Sequence, residues 1–373
     1  MTKKSVILLS GCVTFLMLCL VNLPAAIAAD RFEKYWTVNE YLTYNPQQVS
    51  KSNSFISRVR AAAIPATNIK KPIRIAVVYP GLQASDYWRR SIVSLEKRLK
   101  ELKAPYELVS HFTKPGLTVH EQSNKIGQFL AAGADYLIFT LNVSQHKPLI
   151  EKIMKGDQTK IILQNITTPL KSFKLRQPFQ YVGFDHAIGT EYLVEKYLKI
   201  FGGKADYAIM YGSPGYVSEM RGGTFLRHME KHAGMKLKES YYVGFNRKKS
   251  YRAAKDLLKN HSNIKFVFSA STDIALGVLD ALREEGRMGD IITNGWGGGS
   301  AELDAIQTGD LDFTVMRMND DNGVAMAEAM VLDQLGNVSA VPTIFSGDMV
   351  LVEKSMTDSE IMELKNRAFR YSK

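Results

Sequence analysis

Residues 73–88 read IRIAVVYPGLQASDYW, and they decide the fold class of this chain of 373 residues. The apolar run at 73–79 has the length and the β-branched content of a fully buried strand. Pro80 and Gly81 end that run, and the pattern over 86–103 predicts a helix. A buried strand followed by a helix is the repeating unit of a parallel sheet that is covered on both faces.

The same unit recurs in two series, separated by a stretch at 168–178 that is rich in Pro and Lys. The predicted strands of the first series are 73–79, 106–110, 136–140 and 160–164, and its helices are 86–103 and 119–132. The predicted strands of the second series are 181–184, 207–211, 241–245, 266–269, 291–293 and 312–316, and its helices are 189–201, 218–233, 251–259 and 273–284. We therefore predict an α/β fold with two doubly wound parallel-sheet lobes, a hinge and an interlobe cleft. The predicted domains are a signal peptide at 1–29, an N-terminal arm at 30–72, lobe 1 at 73–185 plus 319–341, and lobe 2 at 186–318 plus 342–373.

The first 29 residues have the pattern of a secretory signal peptide. Lys3 and Lys4 precede an apolar run at 6–23, and small residues at 26–29 form a cleavage site. We expect the mature protein in the periplasm, because no later run approaches the length of a membrane span. A lipid anchor at Cys12 is the alternative, since residues 9–12 read LSGC. Cys12 and Cys19 both lie in this segment, so the mature chain would have no disulfide, no thiol nucleophile and no cysteine-bound metal.

The excess of basic over acidic residues raises the question whether the protein binds nucleic acid. Lys and Arg number 48 against 37 Asp and Glu, a formal charge of +11, which becomes +9 once Lys3 and Lys4 leave with the signal. An exported protein does not meet chromosomal DNA. We therefore expect no nucleic-acid partner.

Polar and aromatic residues follow the strands of the first series, where ligands of doubly wound sheets bind. Gln83 and Trp88 follow the first strand, and an amide pair, Gln164 and Asn165, ends the fourth. Amides bind hydroxyl groups without adding charge. The alternatives are structural: Ser85 or Asp86 as a helix cap, Trp88 in the core, and Asn165 in a turn.

The second series contributes charged residues at the equivalent places. Arg221 lies early in a predicted helix, where a cation is electrostatically disfavoured, and Arg317 ends a strand. Thr272 and Asp273 open a helix, and one of them is expected to cap it. Trp296 lies among glycines, which suits a mobile wall over a ligand. Salt bridges to nearby acids are the alternative for both arginines. A dry cleft with two Arg and one Asp needs an anion, so we expect an anionic, hydroxylated ring as ligand.

Several stretches carry a resemblance to a known family: VYPG at 78–81, SDYW at 85–88, ILQNITTP at 162–169, YVGFDH at 181–186, and the runs 294–306 and 314–321. They are similar to the periplasmic sugar-binding proteins of the ribose type, the type I periplasmic binding proteins, and more closely to receptors within that family for the quorum-sensing signal autoinducer-2. Leu82 and Ala84 depart from the pattern, as does a loop at 284–290 that is one residue longer than expected.

The resemblance implies a signal-transduction protein and no enzyme. It implies that the ligand is a furanosyl borate diester, that no other cofactor or metal is bound, and that the partner is the periplasmic domain of a LuxQ-type membrane sensor histidine kinase. The contacts that it implies are Gln83, Ser85, Trp88 and Asn165 from lobe 1, and Arg221, Thr272, Asp273, Trp296 and Arg317 from lobe 2, with both arginines on the borate.

Three other functions compete with this interpretation. An enzyme is disfavoured because His228 and His232 lack the HExxH pattern and the glycine-rich loop lacks the Lys-Ser/Thr of a phosphate loop. A repressor of the lactose type would begin with a helix-turn-helix, where this chain has a signal peptide. A sugar-binding component of a membrane transporter shares the fold, and it stays open as the alternative function.

Overall fold

The computed structural model describes residues 34–115, 118–141, 143, 145–156, 158–174 and 176–373. The predicted signal peptide at 1–29 lies outside these residues. The described chain forms two α/β lobes, each built on one six-stranded sheet, and this confirms the predicted fold class.

The lobe 1 sheet has the strand order β11-β5-β4-β3-β1-β2, and all of its neighbours are parallel. The lobe 2 sheet repeats this arrangement as β12-β10-β9-β8-β6-β7, with β12 antiparallel at the edge. The lobe 1 strands are β1 (Ile73–Tyr79), β2 (Tyr106–Phe112), β3 (Tyr136–Phe139), β4 (Lys160–Gln164), β5 (Gln180–Gly183) and β11 (Ile344–Ser346). The lobe 2 strands are β6 (Lys204–Tyr211), β7 (Gly234–Tyr242), β8 (Phe266–Ser269), β9 (Ile292–Gly297), β10 (Phe313–Arg317) and β12 (Met349–Glu353).

Helices cover both faces of each sheet. Those of the arm and lobe 1 are α1 (Val38–Tyr44), α2 (Gln47–Arg60), α3 (Tyr87–Glu101), α4 (Val119–Ala131), α5 (His146–Lys155) and α12 (Asp320–Gln334). Those that follow in the second half are α6 (His186–Phe201), α7 (Tyr216–Ser218), α8 (Thr224–Met229), α9 (Arg247–Asn260), α10 (Thr272–Glu284), α11 (Ser300–Gln307) and α13 (Asp358–Ala368). A π-helical turn, Glu219–Gly223, joins α7 to α8, and short 3-10 turns occupy Lys171–Phe173 and Val338–Ala340.

The chain passes between the lobes at three places: after β5, after β10 and between β11 and β12. The predicted return to lobe 2 at residue 342 is wrong. Ile344–Ser346 pairs in parallel with β5 and therefore still belongs to lobe 1, so the third crossing lies at Gly347 and Asp348. A three-residue strand carries too short a pattern to be recognised in the sequence.

The arm before β1 packs mainly on lobe 1. Phe55 and Val59 of α2 are buried in the lobe 1 core, and Tyr35 is buried in a second cluster. The ring of Tyr35 also lies 5.1 Å from that of Tyr216, which precedes the π-helical turn in the second half of the chain. The arm thus contacts residues from both halves of the chain.

Candidate functional site

A pocket with about 460 Å³ of empty space, part of which is open to solvent, lies between the carboxyl ends of the two sheets; we call it the central cavity. Residues that share this lining come from both lobes. Eight of the nine predicted contact residues are among them: Gln83, Ser85, Trp88, Asn165, Arg221, Thr272, Trp296 and Arg317. The lining also contains residues that the sequence did not single out: Pro80, Tyr87, Pro115, Val217, Phe245 and Ser271.

The π-helical turn presents Arg221 to the cavity. Such turns are rare and occur frequently at functional sites. The side chain is 4% exposed, and its guanidinium carbon lies 3.6 Å from the centre of the Trp296 ring. Its Nη1 donates a hydrogen bond to the carbonyl oxygen of Ala270 at 2.8 Å. The guanidinium is therefore held flat against an indole.

Arg317 is the second buried cation of the cavity. It ends β10, is 5% exposed, and stacks on the ring of Tyr87 at 3.9 Å. Its Nε donates to the carbonyl oxygen of Gly297 at 3.4 Å. A Cβ atom at position 297 would lie 2.7 Å from Nη2 of Arg317, and φ there is +148°, so glycine is required at this close approach.

Among the residues that the structure describes, neither arginine forms an ion pair with a carboxylate. The predicted alternative of salt bridges to Glu219, Asp320 or Asp321 is therefore wrong for both. Burial, reinforced by the charge of Arg317, lowers the pKa of Arg221 well below its ordinary value. Burial also lowers the pKa of Arg317. The carboxylate of Glu302 attracts both charges and that of Asp86 attracts the charge of Arg317, but neither forms an ion pair with them, so the two like charges still favour an anion in the cavity.

His186 is a site residue that the sequence analysis did not identify. It accepts a hydrogen bond at Nδ1 from Arg221 Nε at 3.1 Å, and its Nε2 donates to the carbonyl oxygen of Asn165 at 3.0 Å. Only the neutral ring with the proton on Nε2 satisfies both contacts. Burial, together with the charge of Arg221, lowers the pKa of His186 well below its ordinary value. His186 therefore positions Arg221 as a neutral acceptor.

Aromatic rings form the apolar walls of the cavity. Trp88 packs against Tyr79 and Tyr87, with ring centres 4.6 and 4.8 Å apart. Trp296 is 1% exposed and lies in β9, so the prediction of a mobile loop wall is wrong. Its Nε1 donates to Thr190 at 3.1 Å, which leaves the ring as a fixed apolar surface.

Two buried polar atoms of the lining have no partner among the described residues: Oδ1 of Asn165 and Oγ of Ser271. Buried polar groups in native proteins are normally hydrogen-bonded. Asn165 lies directly after β4 with φ +67°, a conformation that asparagine tolerates better than most residues. Oδ1 of Asn165 can accept a hydrogen bond from a hydroxyl group of a ligand, and Oγ of Ser271 can accept or donate one.

The other member of the amide pair plays a different role. Gln164 is fully buried, accepts a hydrogen bond from the hydroxyl of Tyr79, and donates through Nε2 to Ser91 at 2.8 Å. It does not line the cavity, so the prediction that it faces the cleft is wrong. Side chains of a strand point alternately to the two faces of the sheet, so Gln164 is buried under a face, and Asn165, which follows the end of the strand, reaches the cavity.

Asp273 also lies outside the cavity lining. Its carboxylate accepts the backbone N–H of Ala84 at 2.9 Å and that of Ser85 at 3.4 Å, across the cleft. It does not cap α10 through a contact to the first turn, where Ser271 holds the N-cap position. Asp273 therefore ties the loop of lobe 1 to the helix of lobe 2.

Asp86 makes the reciprocal contact from lobe 1. Its Oδ2 accepts the backbone N–H of Ser300 at 3.3 Å and the hydroxyl of Ser300 at 2.9 Å, at the first turn of α11. Burial raises the pKa of Asp86, but the hydrogen bond and charge of Arg90 outweigh it and hold the pKa below its usual value. The two carboxylates hold the lobes together in a closed arrangement.

Within the described part of the chain, no three His, Cys, Asp or Glu side chains are grouped so that they could hold a metal ion. His228 lies in the last turn of α8, and His232 lies beyond the end of that helix, so the two do not share one helical face. No helix of the described residues has both the length and the apolar content that a membrane span requires.

The amino-acid sequence matches the periplasmic binding protein domain over residues 75–336. The chain belongs to the periplasmic binding protein family. Periplasmic binding proteins are solute-binding proteins, and their site lies where the cavity of this chain lies, between the lobes. A relative in the family is the D-ribose/D-allose-binding protein of Pseudomonas aeruginosa, which is 26% identical over 241 residues, 63% of this chain and 73% of the relative.

Solved structures of periplasmic binding proteins share the fold. An ABC transporter solute-binding protein from Agrobacterium vitis with bound D-fucose superposes with a TM-score of 0.70 at 16% identity, over 79% of this chain and 99% of the other. The fructose-binding periplasmic domain of a hybrid two-component system superposes with a TM-score of 0.67 at 17% identity, over 79% of this chain and 94% of the other. Identities this low show a common fold alone.

Proposed function

We propose that this chain is a periplasmic receptor, of the LuxP type, for autoinducer-2 in the form of its furanosyl borate diester. The observation that carries the proposal is the pair of buried arginines, Arg221 and Arg317, which face one cavity without a carboxylate partner among the described residues. A neutral sugar would bring no negative charge to this pair, whereas the borate diester carries one negative charge into the cavity.

The remaining lining fits a small hydroxylated ring. Trp88 and Trp296 provide flat apolar surfaces, and Asn165 and Ser271 contribute polar atoms that have no other partner in the described residues. This is the mixture of apolar walls and few polar groups that holds small oxygenated ligands. The relative from P. aeruginosa is named for two sugars, which supports a sugar-like ligand here as well.

Calorimetry tests the charge of the ligand. Autoinducer-2 is titrated into the purified protein in borate buffer and in borate-free buffer, and D-ribose is titrated as a neutral sugar. We expect binding of the signal that strengthens with borate and weaker binding of D-ribose. Equal affinity for the signal in both buffers would remove borate from the proposal.

The second candidate is a sugar-binding component of a membrane transporter. It is favoured by the names of similar proteins, since the structure from A. vitis is described as an ABC transporter solute-binding protein. Tighter binding of a neutral sugar than of the borate diester would select this function. The small molecules released by heating the purified protein, identified by mass spectrometry, provide an independent answer.

The partner distinguishes the two candidates further. A receptor acts through a membrane protein that senses lobe closure, and we propose the periplasmic domain of a LuxQ-type sensor histidine kinase. The fructose-binding periplasmic domain of a hybrid two-component system has the same fold, so this fold does occur in sensory proteins. Co-purification with the kinase domain without ligand is expected for a receptor, while a transporter component should not remain attached when empty.

A further inference from the structure

A second pocket, with about 1220 Å³ of empty space that includes open solvent, lies at the outer side of the cleft, and we call it the vestibule. Pro115 of lobe 1 and Phe245 of lobe 2 line both the vestibule and the central cavity, so the two spaces adjoin. Trp296 and Arg317, which belong to the hinge side of the central cavity, do not line the vestibule. A ligand that reaches the arginines from solvent on this side passes the vestibule.

The vestibule is lined by cations from both lobes. Lys114 comes from the loop after β2, and Arg247, Lys248 and Lys249 form the first turn of α9. Lys114, Lys248 and Lys249 are exposed, and no ion pair involving them is found in the described part of the chain. Arg247 is paired with Asp280 through contacts of 2.6 and 2.7 Å.

The single acidic residue among the described residues of this lining, Asp273, already has hydrogen-bond partners. The carboxylate of Asp273 accepts the backbone N–H groups of Ala84 and Ser85 and is buried. The lysines of the vestibule therefore face solvent with little compensation from the lining itself. Their summed potential is felt over roughly a Debye length, about 8–10 Å at physiological salt.

The position of these cations is unfavourable for the helix. The N-terminus of α9 carries the positive end of the helix dipole, and three consecutive cations there raise the potential further. By contrast, the first turns of α11, α12 and α13 carry acidic residues. The arrangement costs helix stability and concentrates positive potential at the mouth of a cavity that has two buried arginines at its base.

We propose that Lys114, Lys248 and Lys249 steer an anionic ligand into the cleft and so raise its association rate constant. This inference rests on the proposed function, because it requires a negatively charged ligand. Steering acts on the encounter before the lobes close. It should therefore change the association rate constant and leave the dissociation rate constant nearly unchanged.

Stopped-flow fluorescence measures both rate constants, since Trp88 and Trp296 line the central cavity. The probe is autoinducer-2 in borate buffer, and the variant is Lys248→Gln combined with Lys249→Gln. We expect its association rate constant to fall about three- to tenfold at low ionic strength, with the difference lost in about 0.5 M salt. Charge reversal to Glu at both positions should enlarge the effect.

A matched control removes two exposed lysines elsewhere, Lys97→Gln with Lys100→Gln on α3, and should leave the rate constant unchanged. Two outcomes would overturn the steering role alone, provided that the wild type binds the borate diester. One is an equal fall of the association rate constant in both double variants, and the other is an unchanged association rate constant in the Lys248→Gln, Lys249→Gln variant. Binding of D-ribose in place of the borate diester, with an association rate independent of salt, would overturn both the steering role and the proposed anionic ligand.

Discussion

Arg221 and Arg317 stack on aromatic rings at the base of one cavity and form no ion pair within the described chain. Charge-assisted hydrogen bonds contribute about 1.5–3 kcal/mol each. We therefore expect Arg221→Ala and Arg317→Ala each to weaken binding of the borate diester by at least about tenfold, with the fold retained. Calorimetry and circular dichroism measure the two effects. Normal binding by both variants would show that the site lies elsewhere.

The same two side chains predict an opposite effect on the ligand-free protein. A buried charge without a partner destabilises the folded state, and a long apolar side chain removes that cost while it fills the space. We expect Arg317→Met to raise the free energy of unfolding of the empty protein by about 1 kcal/mol or more. Urea unfolding without ligand measures it. A loss of stability would reveal a compensating partner for Arg317.

His146 makes the stability of the protein pH-dependent. Burial lowers its pKa from 6.5 to about 4, while its ring contacts Phe139 and its Nε2 lies 2.9 Å from Gln122 Oε1. Since the folded-state pKa is the lower one, the unfolded chain binds the proton first as the pH falls. No stability is lost above about pH 6.5, and about 3 kcal/mol is lost between pH 6.5 and 4. His186, whose pKa is also lowered by burial, adds a loss of the same sign.

Urea unfolding across this pH window checks the contribution of His146. His146→Gln should flatten the pH profile relative to the wild type, and His232→Gln, at an exposed position, should not. Parallel profiles for the wild type and His146→Gln would contradict the assignment.

The sequence predicts those site residues that come directly after a strand. A residue directly after a parallel strand must lie at the carboxyl edge of the sheet, which is how Asn165 and Arg317 were found. His186 was missed because its role depends on a contact to Arg221, and the sequence does not show which side chains meet across an interval of that length. Asp273 lies near the site, but its orientation toward backbone N–H groups of the other lobe depends on lobe closure.

At the scale of elements, the loop after β1 and the first turn of α11 hold the lobes together through Asp86 and Ser300. Asp86→Ala removes these contacts and should shift the ligand-free protein toward an open form. We expect a larger radius of gyration in X-ray scattering and an affinity about three- to tenfold lower. The control is Asp135→Ala, which removes an ion pair to Arg74 within lobe 1. A closed ligand-free Asp86→Ala protein would exclude this role.

Buried strands with a continuous apolar run were predicted well, whereas the exposed strand β7, predicted at 241–245, spans Gly234–Tyr242, and the helices α5 and α13 were not predicted. The buried strands β1, β4 and β8 have continuous apolar runs, and their predicted bounds agree with the structure. β11 has three residues, and the predicted glycine loop after residue 293 proves to extend β9 as far as Gly297. Glu302 explains the latter: its carboxylate accepts the N–H groups of Trp296 and Gly298, a contact that no local pattern shows.

At the scale of the whole molecule, the arm is part of the lobe 1 core. Phe55 is 2% exposed and its ring centre lies 6.1 Å from that of Phe345 on β11. Phe55→Ala should lower the free energy of unfolding by about 3–5 kcal/mol, as in other large-to-small core substitutions. Urea unfolding measures it, with Tyr44→Ala, at a position that is 66% exposed, as the control. An effect no greater than that of the control would mean that the arm is dispensable.

The third crossing between the lobes makes both sheets depend on one segment of the chain. β11 and β12 are both edge strands, one for each sheet, and both lie within residues 344–353. Without that segment, β5 and β10 expose unpaired backbone groups. Unpaired edges of this kind are templates for aggregation. A premature stop just after Val341 would spare the residues around the cavity and still leave β5 and β10 unpaired at the edges of the two sheets, so truncation at that point is expected to yield aggregates rather than a smaller folded protein.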